Sequence, residues 1–282
     1  MENLNINYDK TVSNATVNMI SAGAILVISV LIVLLVLVIK RWKGRFIPLA
    51  LGVLSYVVFG FMFSQLLMSV LSLIPNVDQS FTYNTNAYVV IYNILLAAGF
   101  GIARWFTAKM MTDRYNRTGD VLMAGTGLAI GDTVITYALS MFTFFVYAQA
   151  ISANGLEKFI SDMFNSGMAE SDVITLYTSN VSQLIDSPAI LWFLMAVSAV
   201  LDIALNIMLF MVVYGVVKKQ VNYMYAYYAI IAQFVSNIMF QLYNAFSLTN
   251  IIVLFIAKLV IVGGIVLFIK QFIMKEIKYS ND

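Results

Sequence analysis

The sequence contains neither histidine nor cysteine among its 282 residues. These two residue types provide most zinc ligands and many of the nucleophiles and proton shuttles that enzymes use. Disulfide bonds are excluded as well. Any chemistry must therefore use carboxylates, hydroxyls and amides, and we expect neither a metal ion nor a cofactor.

Charged residues are also scarce. They make up 11% of the chain, hydrophobic residues make up 61%, and the mean hydropathy is +0.89. A water-soluble domain of this length would aggregate with such a composition. Apolar runs of about 20 residues recur along the chain, so we expect a protein embedded in a lipid bilayer. The net charge of +2 gives no support to nucleic-acid binding.

The apolar runs predict an all-α fold, a polytopic bundle of transmembrane helices with about seven spans. The expected spans are Met19–Ile39, Phe46–Ile74, Tyr88–Ala108, Gly119–Ile151, Ala189–Val217, Tyr223–Phe246 and Ile251–Met274. We expect residues 1–282 to form a single integral membrane domain.

Basic residues concentrate in alternate loops, which predicts the orientation of the chain in the membrane. One set of loops and the C-terminal end carry Lys40, Arg41, Lys43, Arg45, Lys109, Arg114, Arg117, Lys218, Lys219, Lys275 and Lys278. The opposite set carries only Lys10 and Lys158. We therefore expect the N-terminus outside and the C-terminus in the cytoplasm.

The outer loop at residues 152–188 is the longest polar segment. Its apolar residues Leu156, Ile160 and Phe164 recur at helical spacing and predict an amphipathic helix at the outer membrane interface. The loop is also acidic, which would suit a cationic partner, but a solvated polar face is the more common use of such residues.

We single out four ionisable residues that lie within the expected spans away from their first residues, where a charge is costly and usually has a function. They are Arg104, Asp132, Asp202 and Lys258. At about 1.5 Å of rise per residue, Asp132 and Asp202 fall near the bilayer centre and could share one layer. Arg104 falls near the cytoplasmic end of its span.

Amide side chains form a stripe on the sixth expected span. Gln233, Asn237, Gln241 and Asn244 are spaced by four, four and three residues and share one helix face. On the fifth span, Asn206 follows Asp202 by four residues. These faces predict a polar interior; the alternative is that the amides only join helices by hydrogen bonds.

Four segments resemble, in order, the YhfC-type intramembrane proteases, distant relatives of the CAAX protease and bacteriocin-processing family. They are GFGIARWFTAKMM, DVLMAGTGLAIGDTVI, LDIALNIMLFMVVYGVVKKQ and AIIAQFVSN. The resemblance covers residues 97–237, about half of the chain. It implies a membrane-embedded hydrolase fold in a bacterial plasma membrane.

The residues that the resemblance assigns to catalysis are replaced here. The glutamate pair that precedes the arginine, here Arg104, is absent, and Phe100 and Gly101 stand there. In the glycine-rich stretch of residues 125–132, Leu128 replaces a histidine and Asp132 a glutamate. The other two histidine positions correspond to Asp202 and Gln233.

We therefore expect a catalytically inactive relative of these proteases, a protein with no catalytic residues. It would bind a membrane protein, a lipoprotein or a hydrophobic peptide in a polar intramembrane cavity. The expected cavity residues are Arg104, Asp132, Asp202, Asn206, Gln233 and Asn237. Two alternatives stay open: an active peptidase that uses Asp132 and Asp202 as an acid–base pair, and a membrane subunit of a transport complex.

Overall fold

The computed structural model describes residues 7–73, 86–111, 113–245 and 251–277, and the regular elements in these ranges are all helical. Within these ranges, six helices are long and apolar enough to cross a membrane. They are Asn14–Trp42, Phe46–Ser72, Ala87–Met110, Thr118–Asn154, Ala189–Val217 and Ile252–Ile273. These helices match six of the expected spans and make the chain a multi-pass membrane protein by length and composition.

The remaining expected span, Tyr223–Phe246, corresponds to a 22-residue helix, Met224–Ala245. This helix is not one of the six, and its apolar character is interrupted by Gln233 and Asn237. The seventh span and the orientation of the termini therefore stay predictions.

The α-helices of the described residues are numbered here in chain order. They are α1 (Asn14–Trp42), α2 (Phe46–Ser55), α3 (Phe63–Ser72), α4 (Asn86–Met110), α5 (Thr118–Asp132), α6 (Leu139–Asn154), α7 (Leu156–Asn165), α8 (Glu170–Leu176), α9 (Ser182–Asp186), α10 (Ala189–Val217), α11 (Met224–Ala245) and α12 (Ile251–Phe268). A π-helical segment, Tyr56–Met62, joins α2 to α3, and another, Thr133–Ala138, joins α5 to α6. Two further π-helical segments are Tyr177–Val181 and Ile269–Ile273.

The described residues divide into two compact units. The first unit contains the described residues up to Ile28 together with Ile135–Val197, and the second contains Ser29–Val134 and the described residues from Ser198 onwards. The single-domain expectation stays a prediction.

The first unit contains α7, the helix that lies within the predicted outer loop. Leu156 and Ile160 are buried on one side of α7, and Glu157 is exposed on another. The side chain of Phe159 packs edge-on against Tyr147 of α6, with ring centroids 5.4 Å apart. Its amphipathic pattern therefore serves to pack the helix on the same unit, while its position at a membrane interface stays a prediction.

In the second unit, α2 and α5 pack through glycine. A Cβ atom on Gly52 would collide with the carbonyl oxygen of Ala124, and one on Gly127 would collide with that of Leu49. Only glycine allows the two backbones to approach so closely, as small residues generally do between membrane helices. This close packing holds Tyr56, the first residue after α2, beside Asp132, the last residue of α5.

Helices α10, α11 and α12 of the second unit share an apolar core. Its buried members are Leu205, Leu209, Val212, Val213, Ala229, Val262, Ile269, Ile273 and Ile277. Asp202 and Asn206 also belong to α10, where they lie one helical turn apart on one face. The core thus fixes the helices that present the polar residues.

Candidate functional site

Arg104 of α4 is completely buried, although its side chain carries a charge. Its Nη2 atom donates a hydrogen bond of 2.6 Å to Oδ1 of Asn206 and another to Oε1 of Gln233. Its guanidinium carbon lies 5.0 Å from the ring centre of Phe100, one helical turn earlier. The cation is therefore held between α10 and α11 by two amide oxygens and covers an aromatic ring of its own helix.

Asp132 of α5 is the anion of the same site. Nδ2 of Asn206 donates to its Oδ2 at 2.9 Å, and the hydroxyl of Tyr56 donates to its Oδ1 at 3.2 Å. The amide of Asn206 thus presents its oxygen to Arg104 and its nitrogen to Asp132. A neutral amide joins the two opposite charges, as the polarity of its two ends allows.

The amide stripe of α11 completes this site. Nε2 of Gln233 donates to Oδ1 of Asn237 at 2.8 Å, so the amide that accepts from Arg104 is itself oriented by the next turn of its helix. We name the set the Arg104 network, and its members are Tyr56, Arg104, Asp132, Asn206, Gln233 and Asn237. The side chains of Gln241 and Asn244, the other residues of the stripe, lie outside the described residues.

Several hydrogen-bond donors of the Arg104 network have no acceptor among the described residues. Nε and Nη1 of Arg104, and Nδ2 of Asn237, are buried and have no hydrogen-bond partner among the described residues. A guanidinium offers five N–H donors, and leaving such a group unsatisfied in a buried place costs about 1–3 kcal/mol or more when it is charged. The network is therefore short of acceptors on the side of the arginine.

Asp202 does not belong to this network. Its Oδ2 atom lies 2.7 Å from Nζ of Lys258 on α12, and its Oδ1 atom accepts a 2.6 Å hydrogen bond from the hydroxyl of Ser236 on α11. We name Asp202 and Lys258 the Lys258 pair, to which Ser236 adds a hydrogen bond. The side chain of Lys258 is 4% exposed and that of Asp202 is 22% exposed.

The structure thus brings together five of the six expected cavity residues and gives the sixth, Asp202, other partners. The two sites are neighbours, because Asn206 and Asp202 lie one turn apart on α10, as do Gln233 and Ser236 on α11. Asp132 and Asp202 each have their own partners. In the described part of the chain, no group of three or more acidic side chains comes together in a way that could hold a metal ion.

Two members of these sites were missed by sequence reasoning. Tyr56 is fully buried. It lies within an apolar run of the sequence, and because a buried tyrosine hydroxyl usually has a hydrogen-bond partner, its position there was the available signal. Ser236 lies three residues after Gln233 and one before Asn237, so it borders the polar face of α11. Serine is common within membrane helices, so its position alone gave no strong indication.

Another ionic contact lies where two of the spans begin. Arg45, between α1 and α2, donates from Nε to Oδ1 of Asp120 at 2.9 Å, and its Nη2 pairs with the other carboxylate oxygen. Hydrogen bonding to Asp120 raises the pKa of Arg45 above its ordinary value. Asp120 in the first turn of α5 also suits the positive end of the helix dipole.

Comparisons with known proteins do not extend this picture. No family model, no curated protein and no solved structure matches the chain. The resemblance to the YhfC-type proteases therefore stays a prediction from the four segments quoted above.

Proposed function

We propose that the protein is a membrane receptor that binds a hydrophobic client without hydrolysing it. The client is a membrane protein, a lipoprotein or a hydrophobic peptide. The observation that carries this proposal is the Arg104 guanidinium, which is fully buried and keeps two nitrogens without a hydrogen-bond partner among the described residues. A carboxylate or carbonyl oxygen of the client would supply the missing acceptor.

The surroundings of Arg104 favour such a client group. The ring of Phe100 stands at a position where the resemblance implies a glutamate, and it cannot accept a strong hydrogen bond from Arg104. In this proposal, the chain lost the acidic partners of the arginine and retained the arginine. The C-terminal end of α4 lies about 9 Å along the helix from Arg104, so a carboxylate near that end of a membrane-inserted peptide could reach it.

Both carboxylates, Asp132 and Asp202, already have hydrogen-bond or ionic partners, which favours binding over hydrolysis. A general base must be free to take a proton from water. Asp132 accepts hydrogen bonds from Tyr56 and Asn206, and Asp202 is paired with Lys258 and Ser236. Leu128 and Gln233, at two positions where the resemblance implies histidine, cannot act as bases.

The proposal also covers the membrane in which the chain lies, the number of spans and the orientation of the termini. It places the chain in a bacterial plasma membrane, with α11 as a seventh span, the N-terminus outside and the C-terminus in the cytoplasm. The distribution of basic residues between alternate loops supports this orientation.

The test uses the full-length protein in lipid nanodiscs and a photoreactive transmembrane peptide made in two forms, with a C-terminal carboxylate and with a C-terminal amide. We expect the protein to bind the carboxylate form about tenfold more tightly, equivalent to about 1.4 kcal/mol. Arg104→Gln should abolish this preference, whereas Arg41→Gln, which removes an exposed arginine elsewhere, should leave it unchanged. Equal binding of the two peptides, or a preference that survives in Arg104→Gln, would refute the proposal.

The same experiment tests the peptidase alternative. Cleavage of the peptide by the wild-type protein, lost in both Asp132→Asn and Asp202→Asn, would replace the receptor proposal with an active enzyme. Mass spectrometry of the peptide after incubation detects the products directly.

One observation favours a second candidate, the membrane subunit of a transport complex. The Lys258 pair places opposite charges in contact inside two expected spans, an arrangement also found along proton and solute paths. Proton or solute flux into proteoliposomes that disappears in Asp202→Asn would support this candidate. Flux that is absent in the wild-type protein would count against a self-sufficient carrier.

A further inference from the structure

Helices α10, α11 and α12 border an apolar groove that is separate from the polar residues discussed above. Its volume is about 430 Å³, within the range of small-molecule binding sites. Lining residues include Leu209 and Val212 of α10, Tyr225 and Tyr228 of α11, and Gly264 of α12. Its walls are almost entirely aliphatic and aromatic, which suits a hydrocarbon chain and offers little to a polar ligand.

Glycine keeps the groove open on the α12 side. A Cβ atom on Gly264 would meet no other atom within 4 Å, so the space beside it is empty of protein. The neighbouring Gly263 has equally open surroundings but does not line the groove. An unfilled apolar space loses dispersion contacts on all its walls, so an occupant would stabilise the three helices.

One end of the groove lies where all three helices begin or end. It reaches Tyr225 in the first turn of α11 and Ile273 at the end of the π-helical segment after α12. At the same end, Ile277 packs against the position of Gly215, close to the end of α10. The groove therefore runs from the interior of these helices toward their common end.

That common end is basic. Lys219, Lys270 and Lys275 are exposed there, and Glu276 is the acidic residue among the described residues of this end. Lys219 has a φ of 57°, in the left-handed conformation that usually favours glycine after a helix. Lysines beside the end of an apolar groove in a membrane protein suit a negatively charged head group.

We propose that this groove binds an anionic phospholipid, with an acyl chain along the apolar walls and the phosphate group at the lysines. The inference does not rest on the Arg104 network or on a client. The occupant is a lipid because the groove is apolar along its length and positive at one end. Basic residues near a membrane surface attract anionic lipids, so three lysines favour such a lipid over a zwitterionic one.

The test is native mass spectrometry of the full-length protein with phosphatidylglycerol or phosphatidylcholine of the same acyl chains. We expect the wild-type protein to retain one phosphatidylglycerol at least fivefold more than phosphatidylcholine. Gly264→Leu should abolish this retention because its side chain fills the groove. Gly263→Leu is the matched control and should retain the lipid. Both changes replace glycine in a helix by a better helix former, so neither should impair folding.

A second variant tests the head-group end without filling the groove. Replacing Lys219, Lys270 and Lys275 by Gln should make the retention of the two lipids equal. The proposal is overturned if the wild-type protein retains both lipids equally, which indicates annular lipid only. It is equally overturned if Gly264→Leu and Gly263→Leu behave alike, or if a second copy of the chain, detected as a lipid-free dimer, covers the groove.

Discussion

The Arg104 network and the Lys258 pair contain the same charges, one cation and one carboxylate each, but arrange them differently. In the pair, Lys258 and Asp202 are in direct contact at 2.7 Å, and Ser236 adds one hydrogen bond. In the network, the amide of Asn206 stands between Arg104 and Asp132. Two nitrogens of Arg104 are left without a hydrogen-bond partner among the described residues.

The two sites therefore differ in how far their charges are satisfied: the Lys258 pair is in direct contact, whereas the Arg104 network has donors without an acceptor in the described part of the chain. A buried ion pair in direct contact compensates its own charges and needs nothing more, although it adds little to stability compared with apolar packing. A cation that is held off its anion by an amide can still accept a further partner. The comparison favours a structural role for the Lys258 pair and is consistent with the binding role that we propose for the Arg104 network.

Breaking the Lys258 pair from one side should have the largest effect. Lys258→Met leaves the carboxylate of Asp202 without its cation, and we expect the free energy of unfolding to fall by about 3–5 kcal/mol. The double variant Asp202→Leu with Lys258→Met should lie close to the wild-type value, because apolar residues often replace a buried pair without loss. Unfolding in bicelles titrated with SDS measures both. A double variant as unstable as the single one would contradict the conclusion that the pair only compensates its own charges.

Removing the bridging amide should have the next largest effect. Asn206→Leu takes one hydrogen bond from Arg104 and one from Asp132, and hydrogen bonds between membrane helices contribute about 0.6–1.7 kcal/mol each, so we expect a loss of about 1–3 kcal/mol. A triple variant that also replaces Arg104 by Met and Asp132 by Leu should recover part of the loss, since no charge is then left unpaired. No recovery in the triple variant would contradict the role given to Asn206.

Ser236→Ala should have a smaller effect, about 1 kcal/mol, because Asp202 keeps Lys258 as its partner. The same change in the Lys258→Met background should cost more, since Ser236 is then the remaining described partner of the carboxylate. Ser140→Ala, whose hydroxyl donates to the backbone carbonyl of Thr136 four residues earlier, is the matched control. The prediction fails if the cost is the same in both backgrounds.

The smallest effect is expected for Tyr56→Phe. It removes one hydrogen bond to Asp132 and retains the ring contact with Phe100, whose centroid lies 5.0 Å away. Hydrogen bonds between membrane helices contribute about 0.6 kcal/mol on average. The control is Tyr137→Phe, because the hydroxyl of Tyr137 is buried without a hydrogen-bond partner among the described residues. We expect that control to be neutral or stabilising in the same SDS titration.

The sequence predicted much of the fold because apolar length is set directly by the thickness of a bilayer. Ala189–Val217 has the same bounds in the structure, whereas α1 begins at Asn14 and not at Met19. The polar residues before Met19 fit that helix because Ser13 caps it: its hydroxyl accepts a 3.1 Å hydrogen bond from the backbone N–H of Thr16. A search for apolar residues alone does not detect such an extension.

Sequence reasoning grouped five of the residues of the Arg104 network, but it missed Tyr56, included Asp202, and did not determine which side chains contact each other. Helical spacing alone placed Asp202 with Asn206, and Gln233 with Asn237, on shared faces. Spacing along one helix does not determine which residue of another helix lies opposite. The pairing of Asp202 with Lys258, and the interposition of Asn206 between Arg104 and Asp132, therefore required the tertiary structure.

The most direct test of the account is the environment of the Arg104 side chain itself. Solid-state ¹⁵N NMR of the protein in bilayers can follow its Nε and Nη signals, assigned by their absence in Arg104→Lys. We expect the Nε and Nη1 signals to shift when the carboxylate form of the transmembrane peptide is added and to stay unchanged with the amide form. Signals that do not respond to either peptide would contradict the claim that Arg104 has donors available for a client.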